Sequence, residues 1–415
     1  MSDIASAAPE SRTRELTVCY LFQDEFPWDV RADKILRSLA SNGIQAHVIA
    51  RNRGRASRHE RLGPNLYAHR LPAIGGRRMT ALMNFPAFFS PFWLHASDST
   101  LRSTAANLLV VRDLPLTLTA LVAGLRRRIP VVMDMAENYP AMIQNTWTFR
   151  GATLLDRVIR NPRLLRRLER AVVPTLDGVI VVSELSRRRV EGLGAKPESI
   201  WVVGNTPTLE RISEVDPRKD PLPSRANGSG RGLCLLYVGG MEESRGLDVV
   251  IRALPAILRA EPATTLHIAG RGSSERNLKA LAESLGVHDS VNFRGWIAPE
   301  FIPSLIRSAD VCLVPHRVTE HVNTTLPNKI FDYMAQSKPV VVTDAAALKE
   351  VVESVGCGEV VPDGDPTAMA AAVLRLADPA VRARQGAAGR RAVLERYNWR
   401  VDERVLLSLV RQLAK

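Results

Sequence analysis

Acidic residues are in short supply. There are 43 Asp and Glu against 56 Lys and Arg, a formal net charge of +13 over 415 residues. Such an excess favours anionic partners such as nucleic acid, acidic phospholipid or phosphorylated substrates, although an arginine-rich composition alone gives the same number. Aromatics are scarce too, at 5%. No basic tract carries interleaved aromatics, so the stacking platform that single-stranded nucleic acid needs is missing and nucleic acid is set aside as a partner. The four cysteines, Cys19, Cys234, Cys312 and Cys357, are widely scattered. That spacing gives neither a disulfide frame nor a metal site. Three of them sit inside apolar runs, as small buried hydrophobes do in a reducing compartment. No apolar run reaches the roughly 20 residues of a spanning helix. The opening MSDIASAAPESRTRE is polar and has no signal-peptide core. A cytoplasmic protein is expected, with contact to the inner face of a membrane still open.

Hydrophobic residues make up 46% of the chain, which is ordinary for a soluble α/β protein, and the length allows two domains with real cores. Short apolar runs alternate with helical patterns throughout. The first half predicts strands at 16–22, 44–50, 67–71, 106–111, 129–134, 178–182 and 201–203, with helices at 31–42 and 116–127 between them. Strand, helix, strand in that order gives parallel pairing. Residues 1–14 read as a disordered tail and 51–63 as a basic, polar loop. The stretch 208–231 is rich in Pro, Gly, Ser and charge and marks the domain boundary. The second half repeats the pattern, with strands at 233–238, 264–269, 291–294, 309–315, 340–342 and 359–361 and a final amphipathic helix over 400–414.

Two stretches of the first half carry unusual composition. Residues 77–97 hold Phe85, Phe88, Phe89, Phe92 and Trp93 beside Arg77 and Arg78. They read either as a membrane-surface element or as a broken helix packed into its domain, and Pro86 and Pro91 favour packing. Residues 153–170 carry six arginines with Leu and Ile between them. A solvated helix face is the ordinary outcome, and contact with anionic lipid the alternative.

The candidate chemistry lies where strands end. Asp113 follows one strand of the first half, and Asp134, Glu137 and Asn138 follow another. Carboxylates at the carboxyl end of a parallel sheet stand where such sheets bind ligands, although a solvated turn has the same pattern. In the second half, Gly239 and Gly240 follow one strand, and Gly270, Arg271 and Gly272 another. The loop Thr324, Thr325, Leu326, Pro327 and Asn328 follows a third. A helix is predicted to start near 326–327 and to stop at 337–339. Its free N–H groups suit phosphate. Arg245 and Lys329 can hold a diphosphate through charge-assisted hydrogen bonds, and Asp332 can accept from the vicinal hydroxyls of a ribose. No turn is GxGxxG or a Walker loop, so the signal lies in three turns on one sheet edge.

With those residues in view, the chain resembles the GT-B-fold, family 4 type of retaining glycosyltransferase (glycosyl transferases group 1) over nearly its whole length. The carrying segments are VGGMEESRGLDVVIRAL (238–254), LHIAGRG (266–272), VNFRGW (291–296), TTLPNKIFDYMAQSKPVVVTD (324–344) and RYNW (396–399). In the first half, VVRDLP (110–115), VVMDMAENYP (131–140) and VIVVSELSRRRV (179–190) match more loosely. The resemblance implies an α/β enzyme of two doubly wound, Rossmann-like domains facing each other across a cleft. Residues 15–207 would bind an acceptor and 232–396 a nucleotide sugar, and 397–415 would form a helix crossing back to the first domain. The reaction implied is transfer of a sugar from a UDP- or GDP-sugar to a saccharide or lipid-linked saccharide, with retention, no metal and no cofactor. In polysaccharide biosynthesis that makes the nucleotide sugar and the acceptor the partners.

By that resemblance Arg245 and Lys329 would stabilise the leaving diphosphate, with Arg294 on the donor side and Glu137 touching the acceptor beside Asp113, Asp134 and Asn138. The family's Glu-x7-Glu pattern falls on Thr324 and Asp332. Only the second keeps a carboxylate, and backbone N–H groups of 325–328 would stand in for the first. The family's phosphate-binding Arg-to-Lys pair falls on Gly240 and Arg245, and its first-domain histidine on Ala136. These departures keep two other readings in play: a nucleotide-binding partner subunit of a transferase, and a sugar-nucleotide epimerase of the same fold.

Overall fold

The computed structural model describes residues 16–27, 29–73, 88–209 and 232–414. The tail 1–14, most of the 208–231 boundary stretch and positions 77–87 of the Phe-rich stretch lie outside the described residues. The described chain forms two compact units, one within Met1–Asp134, Leu176–Gly178 and Leu407–Lys415, the other within Met135–Thr175 and Val179–Leu406.

Among the described residues, fourteen strands form two sheets. The first contains β1 (Thr17–Glu25), β2 (Gln45–Arg51), β3 (His59–Gly63), β4 (Leu66–Arg70), β5 (Leu108–Arg112), β6 (Val131–Met135), β7 (Gly178–Val181) and β8 (Ile200–Val202). Its order is β3-β4-β2-β1-β5-β6-β7-β8. The second contains β9 (Cys234–Val238), β10 (Thr265–Ala269), β11 (Val291–Gly295), β12 (Val311–Val314), β13 (Val340–Thr343) and β14 (Gly358–Val361), in the order β11-β10-β9-β12-β13-β14. Every neighbouring pair of the second sheet is parallel. That is the doubly wound arrangement, in which the chain leaves the sheet centre in one direction and returns to extend it in the other. The crevice between β9 and β12, where the direction reverses, is the place for a ligand.

The apolar runs become strands because both faces are covered. Along β9, Cys234 and Leu236 join one core and Leu235 and Tyr237 the other, as the two-residue period of a strand requires. On the second of those faces lies the helix Leu247–Ala260, burying Leu247, Val250, Ile251, Leu254 and Ile257, each worth about 1.5–3 kcal/mol of transfer free energy. All four cysteines are free and buried, and burial pushes the Cys19 thiol up to about 12.

One element departs from expectation. Residues 59–63, within the stretch expected to be a loop, form β3, which pairs antiparallel with β4. Its HERLG is polar because the strand is the sheet's edge and faces water. The turn 63–66 closes the hairpin with Asn65 at φ 55, a conformation that Asn tolerates.

The first sheet also has a switch point, between β1 and β5, and a buried ion network fills it. Asp134, fully buried at the end of β6, accepts from Tyr20 Oη at 2.6 Å and pairs with Arg31 at 2.7 Å and Arg112 at 3.1 Å. Arg112 also reaches Asp113 at 3.0 Å and Asp29 at 3.4 Å. Burial by itself would raise the Asp134 pKa. The Arg31 and Arg112 charges, with hydrogen bonds from Arg31 and Tyr20, outweigh it and hold the group down to about 2. Its contribution to stability is therefore complete above the unfolded carboxylate range and is lost as pH falls toward 2. Asp134→Asn leaves two buried guanidinium groups short of a counter-charge, and a loss of about 3–5 kcal/mol is expected. Urea midpoints at pH 7 check this, and a variant within about 1 kcal/mol of the parent would mean that the network contributes little.

Candidate functional site

The site is built where β9 and β12 end. After β9 the backbone turns at Gly239, whose φ of +141 suits glycine, and a Cβ there would lie 2.5 Å from Lys329 Nζ. The absent side chain is what lets the lysine ammonium lie against the loop. Met241 N–H donates to Arg271 O at 3.1 Å and Gly239 N–H to Ala269 O at 2.8 Å, tying the two glycine turns together. Gly270 N–H donates to Gly295 O at 2.7 Å, which extends the shelf to the end of β11, where Arg294 is half-buried. Gly246, at φ +64, sets its backbone so close to Pro315 O that a Cβ would stand 1.9 Å from it. This contact brings the Glu243–Arg245 turn against the end of β12.

Arg245 and Lys329 meet at a residue that the sequence had not singled out, His316, which is 1% exposed. Arg245 Nη1 lies 3.4 Å from His316 Nδ1, and Lys329 Nζ 3.5 Å from His316 Nε2. Lys329 Nζ also lies 4.0 Å from the Tyr237 ring centroid, in a cation–π contact. Tyr237 Oη donates to Gly240 O at 2.8 Å, and Val238 N–H donates to Tyr333 Oη at 2.9 Å. Among the described residues no ion pair includes Arg245 or Lys329, and Arg245 Nε is buried without a hydrogen-bond partner. Nearby acids are engaged elsewhere. Glu242 holds Arg150 and Ser273, both at 2.6 Å, while Asp248 and Asp363 hold Arg317.

Two cations without an anion perturb each other. Burial, then the Arg245 charge, holds Lys329 well below the usual lysine range. Burial, then the Lys329 and Arg245 charges, holds His316 well below the usual histidine range. Burial and Arg245 bring His321 down to about 4. The crevice is short of negative charge.

The expected helix at 326–327 begins later, at Lys329, and ends at Ala335. A separate turn of helix, Glu320–Thr324, precedes it. Seven residues make a weak dipole, so the positive field at this point comes from side chains rather than from the helix end. Thr324 is tied inward. Its Oγ1 donates to Glu320 O and His321 O, both at 3.1 Å. Thr325 N–H donates to Val322 O at 3.4 Å and Pro327 has no N–H, which narrows the backbone donors of 325–328 to Leu326 and Asn328. Leu326 is buried and Asn328 exposed. Asp332 lies three residues beyond Lys329 and lines a small cavity with Ile302, Pro303 and Gln336. Arg271 is exposed beside Gly270.

The first-half residues fall into distinct roles. Asp134 and Asp113 belong to the ion network, and Asp113 sits at φ 51, ψ −175, a strained conformation for a side-chain-bearing residue. Asn138 caps the helix Tyr139–Arg150 by accepting from Ala141 N–H at 3.3 Å. Within the larger compact unit its Nδ2 also donates to Thr324 Oγ1 at 3.4 Å, and Glu137 Oε2 lies 3.5 Å from His321 Nε2. Ala136 is buried. His316 could have been found by its signal, a Pro-His pair directly after an apolar strand run.

The model of "Glycosyl transferases group 1" matches residues 232–378, and that of the "Glycosyl transferase 4-like domain" matches residues 29–206. Phosphatidyl-myo-inositol mannosyltransferase of Mycobacterium leprae is 33% identical over 227 residues, covering 54% of this chain and 56% of that protein. Alpha-D-kanosaminyltransferase of Streptomyces kanamyceticus is 25% identical over 261 residues, covering 61% and 66%. The matched region thus spans less than two thirds of these relatives. Among solved structures, sucrose-phosphate synthase from Thermosynechococcus elongatus superposes with a TM-score of 0.75 at 19% identity, covering 96% of this chain and 99% of that one. Anabaena HepE in complex with UDP-glucose superposes with a TM-score of 0.67 at 16% identity, covering 96% and 100%. At these identities the likeness shows the fold, which is GT-B.

Inorganic pyrophosphate is the smallest probe of the cation pair. An anion there opposes the burial and the Arg245 charge that hold the Lys329 pKa down, so its binding is expected to raise that pKa. Pyrophosphate affinity, read by titration calorimetry over a pH series, should therefore fall more steeply with rising pH in the parent than in Lys329→Met. Equal pH dependence of affinity in the two proteins would show that pyrophosphate does not engage the Lys329 ammonium.

Proposed function

The chain belongs to the group 1 glycosyltransferases, and from that membership we propose that it moves a sugar from a UDP- or GDP-sugar to a saccharide or lipid-linked saccharide. The anomeric configuration is retained and neither metal nor cofactor takes part. The observation that carries this reading is the pair Arg245 and Lys329, which lies at the switch point of the second sheet and, among the described residues, joins no ion pair. The charge that develops on a departing diphosphate finds fixed donors already in place, so no reorganisation is needed as the bond breaks. His316 keeps both donors at the crevice.

Around the pair, the 239–241 and 270–272 turns form a backbone shelf for the nucleotide. Arg271 and Arg294 border it, and exposed Trp296, next to Gly295, offers a flat face to a base. Asp332 accepts from the ribose hydroxyls. Loop 324–328 stands beside the transferred sugar, with Leu326 and Asn328 N–H as its donors. Glu137, on the acceptor side with Asp113 and Asn138, contacts the incoming hydroxyl. Asp134, already saturated by Arg31, Arg112 and Tyr20, acts by positioning the loop after β6. Residues 15–207 hold the acceptor, 232–396 hold the donor, and the final helix, 397–415, belongs with the acceptor domain.

A donor panel tests the reading. One nucleotide sugar should be consumed with product formed on an acceptor. Arg245→Ala and Lys329→Ala should each lower kcat about 100-fold or more, the loss typical of a removed charge-stabilising donor. Asp332→Ala should weaken nucleoside-diphosphate binding. Near-normal kcat in both cation variants would sink the phosphate assignment. Nucleotide binding without turnover would favour the partner-subunit reading, to which neutral Thr324 lends support, and interconversion of sugar nucleotides without acceptor would favour an epimerase.

We further propose that the protein works at a membrane surface. Among the described residues no helix is long and apolar enough to cross a bilayer. The helices Leu154–Ile159 and Pro162–Val172, however, leave Leu154 81%, Val158 71% and Leu164 50% exposed. Exposed Arg157, Arg160, Arg163 and Arg167 surround them. Apolar insertion plus arginine attraction suits an anionic interface. Sedimentation with anionic vesicles should be strong at low salt and should weaken at 0.5 M salt and in Leu154→Ser/Val158→Ser. Equal recovery with neutral and anionic vesicles would leave these helices as solvated faces.

A further inference from the structure

The first unit contains a cavity of about 490 Å³ that the donor chemistry does not use. It opens at the carboxyl ends of β2 and β4, beside the start of the helix Pro91–Thr104. One wall is apolar, formed by Ile49, Leu71, Pro72, Pro91 and Phe92. Phe92 is 47% exposed, a large apolar side chain presented at the mouth rather than packed away. The rest of the lining is basic, from Arg58, His59, His69, Arg70 and His95, and no carboxylate lines the cavity among the described residues. Arg70 already serves Glu60 at 2.6 Å and Ser57 O at 2.9 Å. Arg58, in contrast, joins no ion pair among the described residues, and Arg58, His59 and His95 are exposed.

The histidines are wired to one another. His47 Nδ1 lies 3.0 Å from His69 Nε2, and His69 Nδ1 lies 3.1 Å from His59 Nδ1. Each contact needs one donor and one acceptor, so in the neutral chain all protons point the same way. An anion in the cavity selects the direction in which His47 donates to His69, His69 donates to His59, and His59 presents Nε2–H outward. His47 is held at the far end by stacking on Tyr67, with centroids 4.9 Å apart. Among the described residues no group of His, Cys, Asp or Glu is arranged to hold a metal ion, so the cluster is available for hydrogen bonding.

We propose that this cavity binds the phosphate of an acceptor that carries an apolar segment, with Arg58, His59 and His95 on the phosphate and Phe92 with its neighbours on the apolar part. The identification of this ligand as the acceptor rests on the transferase reading; the binding chemistry does not. A phosphate in a basic, partly desolvated wall gains charge-assisted hydrogen bonds, and the chain next to it removes the apolar wall from water.

Calorimetry on the full chain without donor tests the site with monomeric octyl phosphate, inorganic phosphate and octyl glucoside. Octyl phosphate is expected to bind with 1:1 stoichiometry and at least about tenfold more tightly than either other probe, since it alone satisfies both walls. Arg58→Gln/His95→Gln should lose about tenfold for octyl phosphate, while Phe92→Ser should lose affinity for it and leave inorganic phosphate unchanged. These side chains are exposed, so folding is not at stake, and circular dichroism confirms it. No saturable binding, equal affinity for the three probes, or variants that bind as the parent does would each overturn the proposal. So would binding to phosphatidic acid vesicles without saturable binding of monomeric octyl phosphate, which would mark a membrane surface instead. Because no sugar is transferred in this assay, its failure leaves the donor-panel result standing, and failure of that panel leaves this binding result standing.

Discussion

An unbalanced pair of positive charges governs the second sheet. Arg245 and Lys329 converge on a buried neutral imidazole, His316, with no carboxylate to neutralise them. A fold does not keep two half-buried cations together for stability, since desolvation and mutual repulsion both oppose it. What holds them is geometry imposed from several directions. The bare backbone of Gly239 makes room for the lysine, Gly246 presses the arginine turn against Pro315, and the Tyr237 ring supports the ammonium with its π face. The strain in charge is relieved only when an anion arrives. That accords with the donors proposed above for a departing diphosphate, which stand in place before any substrate binds.

His316 is the economical part of this arrangement. An acid between the cations would bind both and compete with the diphosphate. An apolar residue would leave their N–H groups unsatisfied. A neutral imidazole satisfies one donor. Its one free lone pair can serve Arg245 at Nδ1 or Lys329 at Nε2, and it adds no charge of its own.

Most of the fold was legible because parallel strands covered on both faces read as short continuous apolar runs, as CLLYV, VCLV and VVVT do. Edge strand β3 was not, since a strand facing water has the composition of a loop and its turn chemistry, Gly-Pro-Asn, was the only sign. At the site, Gly239, Arg245 and Lys329 were legible from residue type at strand ends. The role of His316 was not, because its partners lie 71 and 13 residues away, and no local pattern encodes that meeting. The start of the helix at Lys329 was misplaced for a related reason. Pro327 permits a first turn, but the Glu320–Thr324 turn and its tied threonines hold the preceding backbone extended at Thr325.

The two switch points resolve the same geometric opportunity in opposite ways. Both sheets bring arginines and strand ends to a crevice. In the first, Asp29, Asp113 and Asp134 outnumber Arg31 and Arg112, so the crevice is neutralised from within and its guanidinium groups are spent on the fold. In the second the acids that could do the same, Glu242, Asp248 and Asp363, are each paired with another arginine or serine, and the crevice is left positive. The distribution of acids, rather than the abundance of arginine, therefore decides which sheet edge is left positive. The net charge of +13 would be compatible with many anionic partners. It is the withholding of carboxylates from one particular crevice that narrows them, and the same reasoning applies at smaller scale to the cavity beside β4, whose basic wall also lacks an internal counter-charge at Arg58.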